Sequence, residues 1–213
     1  MLKGAAGVLG LGATATGGAL LYKGLSKPQT YSIKFLLASK NTNKRLLVKS
    51  NDGSEAHWKA AWKAYLTSKN NIWNLKEWKD SPVQDENAPS SFMDACTSNS
   101  NGEVEDTASK EYINVLSFCT RNTLVKDLVL ESNRVLNDDS NGGWSESWKS
   151  YRSSNQSKEK DDWQLTDWND KKSSDDTISE NLKTQCKDKL EVESGFKAVK
   201  DYQDVVNWCS KAK

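Results

Sequence analysis

The sequence predicts a mainly α-helical protein, made of two tandem, pseudo-repeated small helical modules that follow an N-terminal hydrophobic helix. The first observation is that two tryptophan motifs, W-x3-W-K-x-Y and W-x-L-x-x-W, each occur twice. The copies lie 86 positions apart for the first motif and 90 for the second, so a single four-residue insertion accounts for the difference. A fixed period indicates a repeated structural unit. The matched residues are Trp58 with Trp144, Trp62 with Trp148, Tyr65 with Tyr151, Trp73 with Trp163, and Trp78 with Trp168.

The second observation is the spacing of the four cysteines. Cys96 and Cys119 lie 23 positions apart, and so do Cys186 and Cys209. A disulfide within each repeat would close two equal loops and stabilise a module with a thin core by roughly 3 kcal/mol. Four buried free thiols are the alternative, because a free cysteine packs as a small hydrophobe.

The repeats place the first module at residues 30–120 and the second at residues 122–212, after an N-terminal segment at 1–22 and a linker at 23–29. Residues 4–22 carry no charge, and their number, nineteen, fits a bilayer-spanning helix. We therefore expect this segment to be a membrane anchor. A secretory signal cleaved near Ala13-Thr14-Ala15 and a soluble Gly-rich tail are the alternatives.

Three helices are expected in each module. The spacing of Trp58, Trp62 and Tyr65 places them on one face of the first helix, because positions i, i+4 and i+7 coincide there. W-x-L-x-x-W suits an extended stretch followed by a helical turn, and one short extended segment is expected near Leu46 to Val48. The second helix should carry Phe92 and Cys96, matched by Leu182 and Cys186. The closing helix should carry Tyr112, Val115, Leu116 and Cys119, matched by Tyr202, Val205, Val206 and Cys209.

The tryptophans are predicted to form the cores of the modules. Eight of the nine occupy matched positions, and the ninth, Trp208, is matched by Phe118. Exchange of one apolar residue for another is what packing tolerates. An exposed aromatic platform for sugars or nucleobases, and a membrane-interface role for one or two rings, are the alternatives.

Charge and residue inventory exclude several classes of function. Lys and Arg total 30 against 29 Asp and Glu, with both signs interspersed, so no nucleic-acid partner is expected. His57, the only histidine, is matched by Gly143, which favours a surface role over general base catalysis. The run from Asn137 to Gly142 resembles the start of a calcium loop, but Trp148 stands where a bidentate Glu is needed, so a turn is expected. We expect no catalytic residue, metal site or cofactor.

The chain resembles the large paralogous families of uncharacterised proteins in hemotropic mycoplasmas. The shared features are the Gly/Ala-rich N-terminal stretch, the N-D-G or S-N-G turn, the W-x3-W-K-x-Y helix, and the closing pairs Phe118-Cys119 and Trp208-Cys209. The resemblance implies a membrane-anchored or surface-displayed protein of a wall-less bacterium. It also implies antigenic diversification through paralogy, and it supplies no catalytic residue.

We therefore expect a non-enzymatic protein of the cell membrane, with a single-pass N-terminal anchor and with its repeats outside, for antigenic display or contact with host surface molecules. Secretion after signal cleavage is the alternative location. The alternative function is binding of a ligand or glycan in a groove between the repeats. Tryptophan rings exposed together in one concavity would favour that alternative.

Overall fold

The computed structural model describes residues 28–194 and 199–213. The predicted N-terminal hydrophobic helix, including residues 4–22, lies outside the described residues, as does most of the 23–29 linker. We refer to residues 30–120 as the first half and to residues 122–212 as the second half.

The described part of the chain is mainly helical, as predicted. Its helices are α1 (Ile33–Lys40), α2 (Ala56–Thr67), α3 (Ser90–Ser100), α4 (Lys110–Phe118), α5 (Val125–Glu131), α6 (Gly143–Asn155), α7 (Trp168–Lys171), α8 (Glu180–Leu190) and α9 (Val199–Trp208). Its strands are β1 (Tyr31–Ser32), β2 (Lys44–Leu46), β3 (Glu103–Val104), β4 (Thr120–Asn122), β5 (Arg134–Leu136) and β6 (Ser210–Ala212).

The strands form three antiparallel ribbons, β1 with β3, β2 with β4, and β5 with β6. In the second ribbon Leu46 lies opposite Thr120, and in the third Leu136 lies opposite Ser210. The expected extended segment near Leu46 to Val48 is shifted, because β2 ends at Leu46 and Val48 is 85% exposed. Strands of two or three residues are too short to show an alternating pattern, and their partners are remote in sequence. This is why sequence periodicity does not reveal them.

The two helices with the W-x3-W pattern, α2 and α6, lie where the sequence predicts them. Each is preceded by a glycine in the left-handed region, Gly53 with φ 67° and Gly142 with φ 70°. Glycine adopts this conformation without steric cost. At Gly53 a side chain is excluded for a second reason, since a Cβ would overlap the carbonyl oxygen of Ala88.

Two hydrophobic clusters form the interior. The first contains buried residues between Ile33 and Cys119, and the second contains buried residues between Val125 and Cys209. In the first cluster α4 packs on α2 and α3, and in the second α9 packs on α6 and α8. Each closing helix therefore lies between the tryptophan helix and the helix that carries the first cysteine of its half.

Candidate functional site

Both predicted disulfides are present. Cys96 is bonded to Cys119 with Cα atoms 5.4 Å apart, and Cys186 is bonded to Cys209 with Cα atoms 5.5 Å apart. Each bond joins the helix that carries the first cysteine of its half, α3 or α8, to the residue that follows the closing helix, α4 or α9. No cysteine is free, and all four lie among the described residues.

The tryptophans and Tyr151 of the second half are all buried, whereas the first half leaves part of its matched set only partly buried. Trp148 and Tyr151 have no exposed area, and Trp58 and Trp62 are 2% and 1% exposed. The other buried members of the predicted core set are Tyr65, Trp144, Trp163, Trp168 and Trp208. Trp73, Trp78 and Phe118 differ, because they are only partly buried and pack against the outside of the first cluster.

One tyrosine lies at the centre of each aromatic cluster. The ring of Tyr65 stacks on Trp62 and Trp73, with centroids 5.7 Å and 5.0 Å away. The ring of Tyr151 stacks on Trp148 at 6.1 Å and meets Trp208 edge-on at 4.8 Å. Aromatic pairs at these separations contribute about 0.5–1.5 kcal/mol beyond the burial of their area.

The Tyr65 hydroxyl links the tryptophan helix to the W-x-L-x-x-W segment. It accepts a hydrogen bond from the Trp73 backbone N–H at 3.0 Å and donates to Asn71 Oδ1 at 3.1 Å. The same Oδ1 accepts from the Leu75 backbone N–H at 2.8 Å. Burial raises the pKa of Tyr65, so the hydroxyl remains a donor at neutral pH.

The Tyr151 hydroxyl makes the corresponding contacts with a carboxylate in place of the amide. It accepts from the Trp163 backbone N–H at 3.0 Å and donates to Asp161 Oδ2, which also accepts from the Leu165 backbone N–H at 2.8 Å. Burial, followed by the hydrogen bond to Asp161, raises the pKa of Tyr151 well above its ordinary value of 10.0. The proton therefore stays on the tyrosine.

Sequence reasoning missed Asn71 and Asp161, the acceptors of these two networks. Both stand two residues before the first tryptophan of the W-x-L-x-x-W motif, so the matched pattern extends to [N/D]-x-W-x-L. Asn71 and Asp161 occupy matched positions, and both side chains present an oxygen that accepts hydrogen bonds from backbone N–H groups. This match is the feature of the sequence that could have identified them.

The two halves meet through polar contacts made by the α1–β2 loop, β2 and β4. Thr123 donates its backbone N–H to the carbonyl oxygen of Asn43 at 2.9 Å. Arg45 forms a bidentate pair with Glu131 on α5, with both N···O distances 2.9 Å. Arg121 forms a second bidentate pair with Asp127, also on α5, at 2.5 Å and 2.8 Å. Paired hydrogen bonds of this kind fix relative orientation as well as adding energy.

A cleft of about 1020 Å³ opens beside this junction. Apolar side chains from both halves line it, including Leu37, Leu46, Leu128 and Tyr202. Its charged lining residues are Lys34, Lys44, Arg45, Glu131 and Glu193. Several of these groups are already paired with protein partners, since Arg45 binds Glu131 and Lys44 Nζ donates to Asn122 Oδ1 at 2.7 Å. None of the nine tryptophans, all of which are described, lines this cleft.

His57 lies half-buried on α2, next to Trp58. Burial lowers its pKa, and the positive charge of Arg121 lowers it further. The imidazole is therefore neutral at physiological pH and carries no charge into the junction.

The run from Asn137 to Gly142 is a turn, as predicted. Asp138 Oδ1 accepts from the backbone N–H groups of Ser140 and Asn141 at 2.7 Å and 2.9 Å. Asn141 Oδ1 accepts from the Gly143 backbone N–H at 3.0 Å. The side-chain oxygens of Asp138 and Asn141 thus accept hydrogen bonds from the chain itself.

Among residues 28–194 and 199–213, no helix has both the length and the apolar character needed to cross a bilayer. The predicted anchor at residues 4–22 lies outside that range. Neither a protein-family model nor a curated protein matches the sequence, and no solved structure matches it.

Proposed function

We propose that the chain is a non-enzymatic surface protein, held in the membrane by residues 4–22, whose two halves are copies of one disulfide-bonded helical module displayed outside the cell. The observation that carries the proposal is one disulfide in each half, at the same separation of 23 residues. Disulfides persist in oxidising compartments, and small external modules with thin cores depend on them. The resemblance to the surface-protein families of hemotropic mycoplasmas is part of the same proposal.

The duplication is supported by hydrogen bonds that recur at matched positions. Leu47 N–H donates to the Cys119 carbonyl at 2.9 Å, and Asn137 N–H donates to the Cys209 carbonyl at 3.0 Å. The tyrosine networks centred on Tyr65 and Tyr151 recur in the same way. Two unrelated folds are not expected to repeat these hydrogen bonds at matched positions of the sequence.

Display, as opposed to ligand capture, is favoured by the location of the aromatic rings. Trp58, Trp62 and Trp148 are at most 2% exposed and belong to two separate clusters, so their area stabilises the modules. The polar loops at the surface can then vary without loss of the core. That is the arrangement an antigenic surface requires.

Protease treatment of intact cells tests the location. We expect an added protease to remove fragments of residues 30–212 from intact cells while a cytoplasmic marker survives. Alkylation under denaturing conditions, with and without prior reduction, should find the four cysteines blocked until reductant is added. Protection of both halves until lysis would place them inside the cell and reject the proposal. Alkaline carbonate extraction separates the two external locations, because an anchored chain stays with the membrane and a secreted one does not.

A second candidate function is binding of a small ligand or glycan in the cleft between the halves, and the size of that cleft favours it. The variant Ala38→Trp places a large ring at an exposed position of α1 that lines the cleft. Ser39→Trp, one residue further on and outside the cleft, is the matched control. Glycan binding that Ala38→Trp abolishes and Ser39→Trp preserves would support this candidate, and equal binding by the two variants would exclude the cleft.

A further inference from the structure

The turn before α6 contains one of the two Asn-Gly pairs of the sequence, Asn141-Gly142, and the other is Asn101-Gly102. We propose that Asn141 is a site of spontaneous deamidation, and that the folded loop selects it over Asn101. The product is a mixture of aspartate and isoaspartate at position 141. The inference concerns the chemistry of this loop and does not depend on the proposed function.

The electrophile is the side-chain carbonyl carbon of Asn141. Its oxygen, Oδ1, accepts hydrogen bonds from the backbone N–H groups of Gly143 at 3.0 Å and of Asp138 at 3.3 Å. Donors directed at a carbonyl oxygen stabilise the negative charge that develops there when a nucleophile attacks. The loop therefore presents this carbonyl with a small oxyanion hole.

The nucleophile is the backbone nitrogen of Gly142, the next residue. Gly142 is exposed, and apart from Gly142 itself and its two chain neighbours no heavy atom lies within 4 Å of the position where a Cβ would stand. Within the described part of the chain its N–H donates to no acceptor. Solvent base can therefore remove the proton without first breaking a protein hydrogen bond.

The reaction balances with water as the only co-reactant. Base removes the Gly142 amide proton, and the nitrogen forms a bond to Cγ of Asn141. The Cγ–Nδ2 bond then breaks, and Nδ2 takes a proton from water and leaves as ammonia, which closes a succinimide. Hydrolysis of either succinimide carbonyl gives aspartate or isoaspartate.

Asn101-Gly102 is the internal control, because it has the same two residues in a different setting. Its amide oxygen also accepts a hydrogen bond, from Lys34 Nζ at 3.0 Å, and Gly102 is also exposed. The difference lies in the nucleophile, since Gly102 N–H donates to the Asn99 carbonyl oxygen at 3.0 Å. That hydrogen bond must break before attack.

Conversion changes the loop that leads into the second tryptophan helix. Asn141 Nδ2 donates to the Leu136 carbonyl oxygen at 2.8 Å and lies 3.2 Å from Asp138 Oδ2. A carboxylate at position 141 removes that donor and places a new negative charge beside Asp138. The modified chain thus carries an altered, more acidic surface at the start of α6.

The test follows both sites in one sample of the full, disulfide-bonded chain during incubation at mildly alkaline pH. Tryptic peptides 135–149 and 80–110 report Asn141 and Asn101, and fragment ions locate the gain in mass of each amide-to-acid conversion. In the folded protein we expect Asn141 to react about tenfold faster than Asn101, the rate equivalent of one ordinary hydrogen bond. In the reduced, urea-unfolded chain we expect the two rates to be similar.

Three results would overturn the proposal. The first is equal rates at the two sites in the folded chain, and the second is a folded loop that protects Asn141 relative to the unfolded chain. The third is a ratio of the Asn141 rate to the Asn101 rate that is the same in the unfolded chain as in the folded chain, which would assign the preference to local sequence alone. Asn141→Gln provides a check, because the acidic charge variants that arise at position 141, followed by ion exchange, should be absent from it.

Discussion

The two halves hold their central tyrosine with different chemistry and the same geometry. In the first half Tyr65 donates to the amide oxygen of Asn71, and in the second half Tyr151 donates to the carboxylate of Asp161. The backbone donors that complete each network, Trp73 or Trp163 for the hydroxyl, have equal N···O distances of 3.0 Å. The backbone arrangement therefore persists when the acceptor changes from neutral to charged.

The exchange changes how much each half depends on its network. Asn71 is partly buried and neutral, whereas Asp161 is 5% exposed and its carboxylate needs every donor it receives. The second half also buries Trp163 and Trp168, whose counterparts Trp73 and Trp78 are only partly buried. The second half thus buries its tryptophans more completely than the first. We therefore expect its stability to be the more sensitive to the loss of a hydrogen bond.

The largest expected effect is the loss of a tryptophan from either core. Trp62→Ala and Trp148→Ala each remove a side chain that is at most 1% exposed, so each should lower the free energy of unfolding by about 3–5 kcal/mol. Urea denaturation followed by circular dichroism measures this. A variant that retained the parental unfolding midpoint would show that its tryptophan does not belong to the core.

The matched substitutions Trp62→Phe and Trp148→Phe separate packing from hydrogen bonding. Trp148 Nε1 donates to the Ser174 carbonyl oxygen at 3.0 Å, whereas Trp62 Nε1 has no acceptor among the described residues. The phenylalanine change should therefore cost about 1 kcal/mol more at position 148 than at position 62. The reverse order would contradict the assignment of that hydrogen bond.

Removal of a disulfide should have the next largest effect, and the same effect in both halves. The paired changes Cys96→Ser with Cys119→Ser, and Cys186→Ser with Cys209→Ser, each open a loop of equal length. Each should cost about 3 kcal/mol, because the constraint on the unfolded chain depends on loop length. The measurement is urea unfolding of each double variant beside the parent. A difference of more than about 2 kcal/mol between the costs of the two double variants would show that the two disulfides do not stabilise their halves equally.

The features predicted from sequence are those that rare residues mark at fixed spacing. The helices that carry Trp58 and Trp144, and the pairing of Cys96 with Cys119, follow from large or reactive residue types at short separations. Such local patterns are visible in one chain because helical periodicity repeats within a few residues. The predicted membrane segment at residues 4–22 and the division of the chain into modules remain predictions.

Features that depend on remote partners were missed. The ribbon between β2 and β4 joins Leu46 to Thr120, and the junction pair joins Arg45 to Glu131. Neither strand has a recognisable alternation, and charged residues are too common in this sequence for a pair to stand out. Trp73, Trp78 and Phe118, predicted as core residues, are only partly buried and pack against the first cluster. Their matched positions in the repeat do not determine how much of each side chain neighbouring residues cover.

A smaller effect is expected when the central tyrosine loses its hydroxyl. Tyr65→Phe leaves the Asn71 amide without one donor and should cost about 1 kcal/mol, whereas Tyr151→Phe leaves a buried carboxylate short of a donor and should cost about 2 kcal/mol. Urea unfolding of the two variants measures the difference. In the Asp161→Asn background, the cost of Tyr151→Phe in free energy of unfolding should fall to that of Tyr65→Phe. Equal costs for both tyrosines in the parent would remove the distinction between the halves.

An effect of similar size to that of Tyr65→Phe is expected at the junction between the halves, and it depends on pH. Burial alone would raise the pKa of Asp127, but hydrogen bonds from Arg121 and from the Leu124 backbone N–H hold that pKa below its ordinary value of 3.8. A carboxyl group with a lowered pKa in the folded state stabilises the protein above its unfolded pKa, and this stabilisation is lost as the pH falls through the folded value. Asp127→Asn should therefore cost about 1 kcal/mol at neutral pH. The difference from the parent should vanish in acid below the ordinary carboxyl range.

Asp94→Asn, which removes the exposed pair with Lys49, is the control and should show little difference at either pH. If the cost of Asp127→Asn is the same in acid as at neutral pH, the pair with Arg121 does not hold the junction through charge.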